Sequence, residues 1–84
     1  MTFAVTHVSR GEILLNDGAL NVRVSGEGLL PSKPGEPSFV VYLDSMNDVD
    51  MQGKSAPTSD AVRHEIIESI RLYFSTRGMQ VVFE

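Results

Sequence analysis

The chain contains no cysteine. It therefore has no disulfide framework, no thiolate nucleophile and no cysteine-based zinc site. Long apolar runs are also missing: nothing approaches the roughly 20 residues that a helix needs to span a bilayer. Residues 1–6, Met-Thr-Phe-Ala-Val-Thr, lack the basic and apolar regions of a secretory leader, so no signal peptide is expected. Basic residues are scarce, with seven Lys and Arg against eleven Asp and Glu and a formal charge of -4. That sign opposes binding through phosphate neutralisation, and no aromatic stacking set accompanies the scattered cations. The expectation is a soluble, cytoplasmic protein with neither a nucleic-acid nor a membrane partner. A chain of 84 residues predicts a single domain, 1–84. At this size only about 60% of the unfolded chain's surface is buried, so the core is thin and purely apolar.

The clearest pattern lies in residues 58–84. Thr58-Ser59-Asp60 is a helix-capping cluster, with an acidic group at the positive end of the dipole. Val62, Ile66, Ile70, Tyr73 and Arg77 follow one i,i+4/i+3 line, and Ile67 and Phe74 widen it. This predicts an amphipathic helix over 61–77, closed by Gly78 as the left-handed residue past its end. Arg63, His64, Glu65, Glu68, Arg71 and Ser75 fill the polar face. Met79-Gln80-Val81-Val82-Phe83 follows at once as a short terminal strand.

Upstream, residues 3–8 alternate as a strand, with Phe3, Val5 and His7 on one side, and Ser9-Arg10-Gly11 interrupts it. Residues 12–15 and 19–24 form a hairpin about Asn16-Asp17-Gly18. Residues 25–37 are dense in glycine and proline and read as irregular, apart from the apolar pair Leu29-Leu30. Phe39-Val40-Val41-Tyr42-Leu43 is a continuous apolar run, the mark of a central strand. Residues 44–57 read as a long connection. The predicted fold class is α+β: a single, mostly antiparallel sheet in the order β-β-β-β-α-β. One long C-terminal helix packs on one face, and the central and terminal strands pair in parallel across it.

Catalytic chemistry finds little footing. There is no Gly-x-Ser-x-Gly turn, and neither histidine has a serine and an acid in register. Gly26-Glu27-Gly28 precedes no helix and carries a carboxylate that would repel phosphate. Asp48-x-Asp50-x-Gln52-Gly53 mimics the opening of a calcium-binding loop, yet Ser59 stands where the bidentate glutamate belongs. His7 and His64 have no ligand-spaced carboxylate on their own elements. No enzyme activity, metal site or cofactor is predicted.

What remains is protein binding. The 44–57 connection carries Asp44, Asp48 and Asp50 together with Met46, Val49 and Met51. Methionine within an acidic loop suits an adaptable binding surface, and these residues are the predicted partner-contacting set. The competing expectation is that their apolar side chains fold back onto the thin core.

The chain resembles the small bacterial immunity proteins of polymorphic toxin systems, the family called immunity protein seventy-four. The resemblance rests on Val8-Ser9-Arg10-Gly11-Glu12-Ile13, on Gly26-Glu27 and on Phe39-Val40-Val41-Tyr42 running into Ser45-Met46. It extends through residues 63–84, with Ile66-Ile67, Arg77-Gly78 and Val81-Val82-Phe83-Glu84. It implies a non-enzymatic protein that sterically neutralises a cognate toxin. Where the resemblance implies a tryptophan and prolines after the central strand, this chain has Val49 and Asp50, with Pro57 displaced. Two other classes fit the residues: a homodimer pairing exposed sheet edges, and a small metal- or ligand-responsive protein.

Overall fold

The computed structural model describes residues 3–29, 36–49 and 55–84. Strands β1 (Ala4–Val8), β2 (Glu12–Asn16) and β3 (Asn21–Gly28) form an antiparallel meander. β4 (Phe39–Val41) pairs antiparallel with the end of β3, and β5 (Asn47–Val49) pairs antiparallel with its start. β6 (Ser55–Pro57) lies beside β5, helix α1 spans Asp60–Ser75, and β7 (Val81–Phe83) runs parallel to β4. The fold is α+β, an open, mostly antiparallel sheet with one helix and a C-terminal strand.

Alternation sets the two faces of the sheet. Ile13 and Leu15 pair with Val24 and Val22, and all four are buried. Their partners in the helix are Ile66, Ile70 and Phe74, spaced four apart and buried as a single stripe. Phe39 joins them through a tilted contact with Phe74, with ring centroids 5.7 Å apart. Residues of opposite parity, such as Leu14, Arg23, Val40 and Val82, therefore lie on the face without the helix.

The helix starts as its capping cluster predicts: the Ser59 hydroxyl accepts the Val62 N–H at 3.4 Å. It ends at Ser75, two residues before the predicted stop. There Gly78, at φ 70°, lets its own N–H reach Ser75 O at 3.1 Å and the Met79 N–H reach Phe74 O at 2.9 Å. These paired bonds cap carbonyls that the helix leaves open. Arg77 lies outside the core stripe, its guanidinium stacked 3.7 Å from the Tyr73 ring centroid.

Three further sequence expectations change. A bulge between Val5 and His7 inserts Thr6, so Val5 opposes Leu15 and Val8 opposes Ile13. Val8, and not His7, then shares the helix-facing side with Val5. Second, β3 continues to Gly28, through glycines that read as punctuation. At Gly26 a Cβ would overlap the Phe39 ring and the Val40 carbonyl, so the bare backbone is what allows β3 and β4 to approach. Third, the 44–57 connection is not simply a loop, because it contains β5 and β6. Leu30 and residues 31–35 of the glycine- and proline-rich stretch lie outside the described residues, while the Leu29 N–H extends the ladder to Ser38 O at 2.9 Å.

Candidate functional site

β4 and β5 run one after the other along the same edge of β3, both antiparallel to it. They are one strand interrupted by a single 3-10 turn, Leu43–Ser45. Beyond the interruption the sheet forks, because β4 takes β7 as its outer neighbour while β5 takes β6. Ser45 stitches the fork. Its hydroxyl oxygen accepts the Ser25 N–H at 2.8 Å, and it sits 2.5 Å from Tyr42 O and 3.2 Å from Ser25 O, either of which can take its proton. This side chain satisfies ladder groups that the turn would otherwise strand.

The turn holds Asp44 fully exposed at the mouth of the fork. Arg63, on the first turns of α1, reaches across to it. One guanidinium nitrogen donates to Leu43 O at 3.1 Å and lies 3.8 Å from the Asp44 carboxylate. The other terminal nitrogen is 3.9 Å from Asp60. One cation thus bridges two exposed carboxylates and ties the helix start to the turn. Such exposed ion pairs contribute about 0–1 kcal/mol each, so the arrangement positions charge more than it stabilises the fold.

Asp48 has a different surrounding. It pairs with Val22 on the helix-facing side of the sheet, half-buried, and accepts the Thr58 hydroxyl at 2.9 Å. Thr58 is itself buried and donates its N–H to Met46 O at 3.3 Å. Asp48 therefore occupies a strand, unlike the first ligand of a calcium-binding loop, and one of its lone pairs is engaged. No group of three or more candidate metal-ligating side chains occurs among the described residues.

Val49 is opposite Asn21 on the helix-free face, where it lines a shallow depression of about 320 Å³ with Leu14, Arg23 and Glu12. Met46 is corrected outright. It is 4% exposed and packed in the core, so it does not offer its side chain to a partner. The backbone explains this, since Met46 shares parity with Asp48 and points toward the helix. Asp50 and Met51 lie outside the described residues. The predicted set thus separates into Asp44 and Val49 on accessible surface, Asp48 half-engaged, and Met46 inside. Sequence reasoning missed Arg63 and Asp60 as part of this constellation. Their i,i+3 spacing is visible in the chain, whereas the reach of Arg63 to Leu43 O is a tertiary contact that no local pattern announces.

No described helix is long and apolar enough to cross a membrane. Comparison with curated proteins and with solved structures returned no match. A family model did match, over residues 5–84, nearly the length of the chain. It is described as Immunity protein 74, and this protein belongs to that family.

Proposed function

We propose that the protein binds a cognate protein toxin and neutralises it sterically, by covering a functional surface without catalysing any reaction. The contact region is the fork: Asp44 and Asp60 at its mouth, Asp48 and Val49 along β5, with Asp50 and Met51 continuing the set. Family membership supports the toxin as partner. The observation that carries the choice of surface is the pairing of exposed Asp44 and Asp60 on one Arg63 guanidinium, itself fixed to Leu43 O. This presents carboxylates from a tethered frame, which lowers the ordering cost on binding. A net charge of -4 adds long-range attraction for a basic partner and speeds encounter. The compartment proposed for this encounter is the cytoplasm.

The test is co-expression with any toxin-like reading frame found beside the gene. Growth protection and a copurifying complex are expected. Asp44→Lys is expected to weaken that complex about tenfold or more, with larger losses at low salt, because rim charges act mainly on association. A complex indifferent to Asp44→Lys and Val49→Lys would move the contact region elsewhere. Neither protection nor complex would remove the toxin reading.

A further inference from the structure

The helix-free face of the β3–β4–β7 branch carries a second patch. Register places Glu27, Val40 and Val82 in one row across the three strands. The next row begins with Glu12 opposite Ser25. Ser25 O accepts the Tyr42 N–H at 3.0 Å and Glu84 O accepts the Leu43 N–H at 2.7 Å, which carries that row through Tyr42 to Glu84. Tyr42 and Val82 are 40% and 39% exposed, large apolar side chains left uncovered at the centre of the patch. Carboxylates of Glu12, Glu27 and Glu84 surround them, and Arg23 lies one row further, beside Leu14 and Asn47. The Tyr42 hydroxyl donates to Glu27 Oε2 at 3.3 Å. Partial desolvation and the negative charges of Glu27 and Glu84 hold that hydroxyl above its ordinary pKa, so it stays protonated and donating.

We propose that this patch docks a cationic segment of the partner protein, an arginine or lysine flanked by apolar side chains. The cation would lie over the Tyr42 ring between Glu27 and Glu84, and its apolar neighbours would cover Val40 and Val82. The chemistry is complementary in both respects. A guanidinium stacks on an aromatic face within about 6 Å of its centroid and gains most where carboxylates flank it. A second copy of this chain is a poor occupant, because apposing the face on itself sets Glu12, Glu27 and Glu84 against like charges. The proposal deepens the toxin-binding reading, on which it rests for the partner's identity, by assigning the partner a basic contact on the helix-free face beside the fork.

The experiment titrates isotopically labelled full-length protein with a short synthetic peptide alternating arginine and valine, and follows amide shifts. Shifts confined to Glu27, Val40, Tyr42, Val82 and Glu84 are expected. Glu27→Lys combined with Glu84→Lys is expected to weaken binding by about tenfold or more, while Glu65→Lys, on the exposed face of α1, leaves it unchanged. Tyr42→Phe keeps the ring and is expected to retain binding; Tyr42→Ala loses it, with the remaining amide spectrum reporting an intact fold. No binding by the wild-type protein, shifts that reach Glu65 and Glu68 on the exposed helix face equally, or equal loss in Glu65→Lys would overturn the proposal. Protection from the toxin without peptide binding removes this surface alone. Peptide binding without protection removes the toxin reading alone.

Discussion

The two branches of the forked sheet are built by different means. In the β4–β7 branch, Phe39 and Val41 are buried and the strand–helix–strand crossover closes over them. In the β5–β6 branch, Asn47, Asp48 and Val49 are all only half-buried. That branch is held to β3 by the β5 ladder and to the start of the helix through Thr58, by a hydroxyl bond to Asp48 and an N–H bond to Met46 O. Apolar burial is large and non-directional, whereas a hydrogen bond is small in net energy but fixes orientation. One branch therefore secures the fold, and the other can present polar groups without endangering it.

Substitutions can break this contrast in a graded way. Phe39→Ala should cost the most, about 3–5 kcal/mol, because it removes the ring that meets Phe74 and fills the space above Gly26. Denaturant melts followed by circular dichroism would show it as a lowered midpoint. A loss below about 1 kcal/mol would mean the β4–β7 branch is not the anchor. Thr58→Ala should cost less, about 1–2 kcal/mol, by leaving Asp48 without its hydroxyl donor. Hydrogen exchange should then speed at Asn47 and Val49 before Val41 and Phe83 respond. Uniform acceleration across the sheet would erase the distinction between branches.

The smallest effect belongs to a region common to both, the β2–β3 turn. Asp17 accepts the Ala19 and Leu20 backbone N–H groups at 2.9 and 2.7 Å, and these bonds hold its carboxyl below the ordinary aspartate pKa. A depressed folded-state value means the stabilisation is present above the unfolded-state pKa. It is lost as pH falls through the folded-state value. Asp17→Asn should flatten that acid limb, leave the order of the two branches unchanged, and shift stability little near neutrality. An unchanged acid limb in calorimetric melts would assign it to other carboxylates.

The elements legible in the chain were those whose local chemistry agrees with their burial. Ser59 caps, Gly78 closes, the Ile66–Ile70–Phe74 spacing marks the core face, and the apolar run at Phe39 finds a parallel partner in Val81–Phe83. β5 and β6 escaped because strands of three residues are too short to show a usable alternation. The β3 extension escaped because glycine normally signals a turn, and only the Phe39 ring explains why Gly26 stands in a strand. Of the candidate site, Asp44 was visible as an exposed acid. The core placement of Met46 required the strand parity that the fork supplies.

The parallel register of Phe39 with Val81 also bears on how the chain reaches its native state. The β1–β2–β3 meander joins neighbours along the sequence, so it closes short loops. The β4–β7 pair joins segments on the order of forty residues apart and must form across the helix, which makes it costly in chain entropy and late. Until β7 arrives, β4 carries a bare apolar edge, the template on which chains add to one another. Refolding yield should therefore fall with protein concentration even where the finished fold is stable, and the hazard lies in the waiting time of a single strand.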